Sequence, residues 1–225
     1  MLDKLQKIYA QTLIKPYLTW YLKKERITKL KGFHLLVKPT VFHPKYFFSS
    51  LYLFDFISSL DLFEKKFLEI GSGSGLISLL AYQKKAIVTC CDINPVAVDC
   101  TSLNFVTNFS SEKNNFEVLQ SDLFNHIPGT NFDTIVINPP YFFEEINSEH
   151  QYAWNCGKNG EYFQKLFSQL NGYIHPKTEI YMILAHNCDL TRIEKLAEAQ
   201  NFLMILADKR KIKWEVNYVF KIISK

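Results

Sequence analysis

Short apolar runs alternate with helical patterns along most of this 225-residue chain, and the alternation narrows the possible folds to one class. Five runs have the composition of buried strands: 67–70, 87–92, 116–120, 132–137 and 179–184. Four stretches have the apolar spacing of helices: 75–84, 95–108, 160–171 and 189–200. Strands that alternate with helices in this rhythm form a parallel sheet covered by helices on both faces. The sequence therefore predicts a doubly wound α/β fold.

Elements on either side of the alternating region complete the predicted sheet. Residues 202–207 and 214–223 have strand-like composition and are separated by the polar segment 208–211, which we expect to form a turn. They predict an antiparallel hairpin at the edge of a mostly parallel, seven-stranded sheet. A further helix is expected at about 49–60, ahead of the first strand.

The first part of the chain predicts a small extension. Apolar residues within 2–27 have the spacing of amphipathic helices, and 33–42 have the pattern of a short hairpin around Pro39. We therefore divide the chain into a basic N-terminal helical arm and hairpin over 1–45 and a main domain over 46–225.

Charge is distributed unevenly along the chain, although its net charge is only +4. Residues 1–45 carry ten Lys or Arg and two acids, 209–225 carry six and one, and 46–208 carry ten and nineteen. Basic ends around an acidic body predict a docking surface at 1–45 and 209–225 for a polyanionic partner such as RNA. The alternative is a solvated helix and an ordinary lysine-rich edge strand.

Composition is typical of an intracellular globular domain. The chain is 48% hydrophobic and 21% charged, and no apolar run reaches the roughly 20 residues of a membrane span. The first seven residues include an acid and two lysines, a pattern that differs from a signal peptide. Five cysteines without metal-binding or disulfide spacing indicate reduced thiols, so we expect a cytoplasmic protein with no metal site and no membrane partner.

The tetrapeptide Asn138-Pro139-Pro140-Tyr141 follows the apolar run 132–137. Two successive prolines remove two backbone N–H groups, so this loop presents carbonyl oxygens without donors at those positions. The amide oxygen of Asn138 and the carbonyl of Pro139 can accept both hydrogens of a planar –NH₂ group while Tyr141 stacks on its plane. Such a shelf suits a primary amide or the amino group of a base. The alternative is a structural turn after a buried strand.

A glycine-rich turn at 69–75 ends the first alternating strand and opens a helix. Glycines there let the backbone approach a ligand at the helix N-terminus. Asp92 and Asp122 come at the ends of the next two strands, where a carboxylate can bind ribose hydroxyls or the adenine amino group. Asp92 can alternatively cap the following helix. Glu69 would repel a pyrophosphate but suits a ligand with an ammonium and a sulfonium, which is S-adenosylmethionine.

These motifs resemble those of the class I methyltransferases, and within them the group that carries Asn-Pro-Pro-Tyr. The residues that carry the resemblance are 69–75, 91–95, 121–123 and 138–141. Residues 41–44 resemble the segment that covers the cofactor in this group. Residues 153–160 and the closing hairpin at 209–225 are similar to the short, single-domain HemK-type protein-glutamine methyltransferases. The resemblance covers roughly residues 40–225 and implies that 46–225 are a class I methyltransferase domain.

The resemblance also implies a role for each motif. The glycine-rich turn would surround the methionine part of the cofactor, Asp92 would bind the ribose, and Asp122 the adenine. The implied cofactor-binding residues are Glu69, Gly71, Gly73, Gly75, Asp92, Ile93, Asp122, Leu123 and Asn138. The implied catalytic residues are Asn138, Pro139 and Tyr141, and the implied substrate-binding residues are Asn138, Pro140, Tyr141 and Phe142.

The implied reaction is transfer of a methyl group from S-adenosylmethionine to a planar nitrogen, and two kinds of acceptor fit. Residues 153–160 favour a protein glutamine, which makes a release-factor-like, translation-related protein the first candidate partner. The basic ends favour adenine N6 or guanine N2 in RNA or DNA. A third alternative is a non-catalytic subunit that binds the cofactor. Residues 1–38 are too short for the helical substrate-binding domain of the long bacterial release-factor enzymes.

Overall fold

The computed structural model describes residues 23–46, 48–109, 115–148, 151–212 and 215–225. The strands are β1 (Arg26–Leu30), β2 (Phe33–Val37), β3 (Lys66–Ile70), β4 (Ile87–Asp92), β5 (Phe116–Gln120), β6 (Thr134–Ile137), β7 (Glu179–Ala185), β8 (Phe202–Ile212) and β9 (Glu215–Ser224). The helices are α1 (Phe48–Ser58), α2 (Leu76–Gln83), α3 (Pro95–Phe109), α4 (Glu161–Leu170) and α5 (Leu190–Glu198). Within the described ranges, no helix has the length and apolar character needed to traverse a lipid bilayer.

Seven strands form one sheet in the order β5-β4-β3-β6-β7-β9-β8. The strands from β5 to β7 in that order are parallel, and β9 runs antiparallel to both β7 and β8. This confirms the predicted doubly wound, mostly parallel seven-stranded sheet with an antiparallel hairpin at its end. The strand order reverses between β3 and β6, and ligands bind at such a point, beyond the carboxyl ends of the strands.

The central strands send alternate side chains into two separate cores. In β3, Phe67 belongs to the core that contains residues of α1, α2 and α3, whereas the adjacent Leu68 belongs to the core that contains residues of α4 and α5. Neither side chain is exposed to solvent. On the first face, the rings of Phe105 and Phe116 stack with their centroids 3.9 Å apart. Two buried faces explain why the strands have nearly continuous apolar sequences.

The N-terminal hairpin turns earlier than the sequence predicts. Leu30 pairs with Phe33, so the turn is Lys31-Gly32, and the predicted hairpin around Pro39 is wrong. Both turn residues have positive φ, 52° for Lys31 and 90° for Gly32. Two-residue hairpin turns need this conformation, and glycine adopts it without steric cost. The Lys-Gly pair therefore decides the position of the turn.

The helical prediction for residues 2–27 is wrong at its end, because residues 26 and 27 begin β1. Ile27 and Thr28 are β-branched and favour extended backbone, which explains the difference. Residues 1–22 lie outside the described residues. The division of the chain at residue 45 stays a prediction.

Asparagine side chains on α3 join the N-terminal hairpin to the main sheet. The Leu36 N–H donates to Asn104 Oδ1 at 2.7 Å, and Asn104 Nδ2 donates to the Leu36 carbonyl at 2.8 Å and to the Ser74 carbonyl at 2.9 Å. Asn108 exchanges a similar pair of bonds with His34. The side-chain amides thus bond to the backbone of β2 as a neighbouring strand would. Asn104 also holds the glycine-rich turn, through the Ser74 carbonyl.

The terminal hairpin is longer than predicted. Strand β8 continues through 208–211, so the turn expected there is wrong. Ile212 pairs with Glu215, and a bulge follows Leu206. A bulge and charged side chains are tolerated on an edge strand, which is why this polar run extends the strand instead of ending it. Trp214, predicted within the next strand, lies outside the described residues.

Candidate active site

A cavity of about 330 Å³ lies at the carboxyl edge of the parallel strands, where the loops after β3, β4, β5 and β6 meet. Most of the predicted site residues are on its wall: Glu69, Gly71, Gly73, Asp92, Ile93, Asp122, Leu123, Asn138, Pro139, Pro140 and Tyr141. Gly75 and Phe142 are not part of the wall. The fold therefore gathers residues from four separate strand ends around one space.

Gly75 lies behind the wall, where α2 begins. Its φ is +80°, and a Cβ at this position would lie 2.9 Å from Thr101 Cγ2. Thr101 Oγ1 is 3.1 Å from Ser72 Oγ and donates to the Gly73 carbonyl at 3.2 Å. The absence of a side chain at Gly75 thus allows the glycine-rich turn to pack closely on α3.

Asp92 is held by two backbone donors. Its Oδ2 accepts from the Gly73 N–H and its Oδ1 from the Asn94 N–H, both at 2.9 Å. Burial raises the pKa of the Asp92 carboxyl, and the two hydrogen bonds oppose that rise. Asn94 Oδ1 accepts from the Val96 N–H at 2.9 Å, so Asn94 supplies the cap of α3. The Asp92 carboxylate is consequently oriented towards the cavity by the turn.

Glu69 is the most deeply buried acid of the wall, with 4% of its surface exposed. Its Oε2 accepts hydrogen bonds from the N–H of Ser78, at 2.9 Å, and from the Ser78 hydroxyl. Burial raises the pKa of Glu69 to about 8, although the bonds from Ser78 act in the opposite direction. A cation bound nearby would favour the carboxylate form.

Helix α4 contributes wall residues that the sequence analysis missed. Lys165 forms an ion pair with Asp122, and both residues line the cavity. Tyr162 lies one turn earlier on the same wall. Residues three apart on a helix share a face, so the sequence did indicate that Tyr162 and Lys165 lie on the same side of α4. It could not show that this face points to the carboxylate predicted to meet adenine.

The proline pair leaves the shelf without a free backbone N–H over residues 139–142. Pro139 and Pro140 have no N–H, and the next two N–H groups, of Tyr141 and Phe142, both donate to the carbonyl of Trp154 at 3.0 and 2.9 Å. The backbone donors of these four residues are therefore absent or already bonded. The oxygens of the shelf remain to receive hydrogen bonds.

Aromatic side chains from two distant segments meet at this cavity. The rings of Phe42 and Trp154 have centroids 5.1 Å apart, and both residues are on the wall with Tyr152. Within 153–160, Gly157 has a φ of +87°, which residues with a side chain rarely adopt. This glycine therefore makes the tight turn into α4 possible.

The family model for the methyltransferase small domain matches residues 34–213 of this chain. The chain belongs to the methyltransferase small domain family. It is an S-adenosylmethionine-dependent methyltransferase, which agrees with the cofactor expected from the sequence.

This methyltransferase is similar to curated relatives of two kinds. It is 34% identical over 154 residues to a candidate protein N5-glutamine methyltransferase of Methanocaldococcus jannaschii, covering 66% of this chain and 74% of the relative. It is 35% identical over 80 residues to the tRNA1(Val) (adenine(37)-N6)-methyltransferase of Aliivibrio salmonicida, covering 35% of this chain and 33% of that enzyme. Its fold matches the E. cuniculi Mtq2–Trm112 complex with a TM-score of 0.62 at 18% identity, covering 83% of this chain and 99% of that one.

Replacing Asp92 with alanine should weaken S-adenosylmethionine binding, because the ribose would lose charge-assisted hydrogen bonds worth roughly 1.5–3 kcal/mol each. Loss of two such bonds corresponds to about a hundredfold or greater rise in Kd, measurable by calorimetry. Asp99→Ala is the matched control, since Asp99 pairs with Lys38 and is not on the cavity wall. Unchanged affinity in Asp92→Ala would remove Asp92 from the cofactor site.

The cofactor-free protein should lose stability as the pH rises from 5 to 9. Glu69 has a native pKa of about 8 and an ordinary value of 4.5, so the folded state retains a proton that the unfolded state releases. The shift corresponds to a loss on the order of 3–5 kcal/mol. In Glu69→Gln this part of the loss should disappear from denaturant unfolding curves. An identical pH dependence in the variant and the wild type would contradict the prediction.

Proposed function

We propose that this methyltransferase transfers its methyl group to the side-chain amide nitrogen of a protein glutamine, with a translation-related cytoplasmic protein as the first candidate substrate. The observation that carries the proposal is the position of Asn138 and Pro139 together on the cavity wall, where each can offer one oxygen. A primary amide presents two N–H hydrogens in one plane, and two such oxygens can accept both. The M. jannaschii relative supports a glutamine acceptor, since the similarity covers 74% of its length.

In this proposal the shelf activates a weak nucleophile. The lone pair of an amide nitrogen is delocalised into its carbonyl. Hydrogen bonds from both amide hydrogens to Asn138 Oδ1 and the Pro139 carbonyl would raise the electron density on the nitrogen and fix its approach. Tyr141 would stack on the amide plane, and burial raises the pKa of its hydroxyl, so the ring stays neutral. When bound, S-adenosylmethionine would supply the methyl group from its sulfonium, and the methylated nitrogen would release one N–H proton to water, so that the product is a neutral amide.

The proposed cofactor contacts are those that the resemblance to the class I methyltransferases implies, and the positions of these residues on the wall support them. Glu69 would face the methionine ammonium, Asp92 would accept the ribose hydroxyls, and Asp122 would meet the adenine amino group beside Lys165. The backbone of the glycine-rich turn, together with Ile93 and Leu123, would fill the space around them. The donor loses its positive charge on transfer, so a cavity that excludes water would favour the reaction.

An amino group of a base in RNA is the second candidate acceptor. The same two oxygens would accept the hydrogens of adenine N6, and aromatic rings suit a planar base. Phe42, Tyr152 and Trp154 provide such rings on the wall beside Tyr141. The similarity to the tRNA adenine-N6 methyltransferase also favours this candidate. A non-catalytic cofactor-binding subunit would have no use for the shelf.

The predicted basic docking surface for RNA stays a proposal. Its two ends share one carboxylate in the structure: Lys31 Nζ lies 2.5 Å from Asp55 Oδ1, and Arg210 Nη1 lies 2.9 Å from Asp55 Oδ2. These two cations therefore serve partly to join the N-terminal hairpin and β8 through α1. Lys209 and Lys211 are exposed on β8 and would supply the charge for a polyanion.

Asn138→Ala should lower methyl transfer by about a hundredfold or more, as expected when one positioned polar group is deleted from a reaction site. S-adenosylmethionine affinity should stay within a few fold of the wild type. The measurement is incorporation of radiolabelled methyl groups into cell extract, with calorimetry for the cofactor. Transfer at a near wild-type rate would show that the shelf is structural.

Treatment of the labelled extract with protease or with nuclease identifies the class of acceptor. Label that is lost on protease treatment and survives nuclease would support glutamine, and the residue is then identified in the digested protein. Label that is lost on nuclease treatment would overturn the first candidate in favour of the second. In that case RNA binding should weaken with salt, with a slope of log K against log[salt] near −0.7 for each phosphate contacted on a single strand.

A further inference from the structure

Ser50 contacts the side chain of Asn138 on the cavity wall. Asn138 Nδ2 lies 3.3 Å from Ser50 Oγ and donates to it. Both residues line the cavity, and only 8% of Ser50 is exposed. Among the residues that the structure describes, Ser50 is the hydrogen-bond partner of the Asn138 side chain. Ser50 comes from the first turn of α1, outside all the motifs singled out in the sequence.

The contact with Ser50 is made by Nδ2, so the Asn138 amide presents Oδ1 on its other side. The terminal torsion of asparagine is broad and roughly two-fold, so the amide can present either its oxygen or its –NH₂ group. A target –NH₂ group needs an oxygen, because two N–H groups facing one another repel. Ser50 Oγ accepts from Nδ2 and thereby leaves Oδ1 for the opposite direction.

Helix α1 holds the serine firmly in place. Tyr52, Leu53 and Ile57 of the same helix are completely buried against the sheet. This burial holds in place the helix backbone that carries Ser50. A hydrogen bond from such a fixed point restricts the amide of Asn138 in both position and orientation.

We propose that Ser50 is a positioning residue for methyl transfer, which orients the Asn138 amide so that Oδ1 accepts a hydrogen of the target nitrogen. The proposal rests on the proposed role of Asn138 and holds for a glutamine amide and for a base amino group alike. It predicts an effect on turnover and none on cofactor affinity.

The test begins with Ser50→Ala, which removes the hydroxyl. The turnover number, measured as incorporation of radiolabelled methyl groups into the same cell extract, should fall by about tenfold to a hundredfold. Misorientation of a reacting group has effects of this size. The Kd for S-adenosylmethionine and the thermal unfolding temperature should remain those of the wild type. Ser50→Thr retains the oxygen and should recover most of the turnover. Ser49→Ala is the matched control, because Ser49 is a buried neighbour on α1 that does not line the cavity.

A double-mutant cycle with Asn138→Ala separates this role from a structural one. If Ser50 acts through Asn138, Ser50→Ala should cause no further loss in the Asn138→Ala background. Losses that multiply would overturn the proposal, as would a Ser50→Ala enzyme of wild-type turnover. Full activity in Asn138→Ala itself would instead refute the proposed role of the shelf, so the two failures give different results.

Discussion

Parallel pairing of β3 with β4 on one side and β6 on the other is the constraint on which the candidate active site depends. It brings Gly71, Asp92 and Asn138 to one edge although they are far apart in the sequence. The N–H groups of Gly71 and Ser72 both donate to the Cys91 carbonyl at 2.9 Å, which fastens the glycine-rich turn to the end of β4. Each loop can then differ in chemistry while the strands keep the loops in register.

Three of the four acids on the cavity wall have three different kinds of partner. Glu69 accepts from a serine, Asp92 from two backbone N–H groups, and Asp122 pairs with the ammonium of Lys165. Burial raises the pKa of both Glu69 and Asp92, and the rise is greater at Glu69, whose pKa reaches about 8. The wall of the cofactor-free protein is therefore less negative than its residue types suggest, and a bound cation would favour the charged form of Glu69.

The sequence was sufficient to predict the order of elements, the shelf and most of the wall, because these follow from periodicity and from residues at strand ends. It did not predict the contacts made by helices. The hydrogen bond between Ser50 and Asn138 spans 88 positions, and the pair formed by Lys165 and Asp122 spans 43. Such contacts depend on how each helix packs on the sheet, and local pattern does not contain that information. The polar segment 208–211 was misread because polarity alone cannot separate a turn from an edge strand.

The amide of Asn104 makes two parts of the chain dependent on a single side chain. It offers one acceptor and two donors, and all three are used by β2 and the glycine-rich turn. Aspartate has no donor, glutamine is longer by one methylene, and leucine would leave three backbone groups without partners. Natural variation at this position should accordingly be very narrow, and the N-terminal hairpin cannot shift its register independently of the loop beneath it.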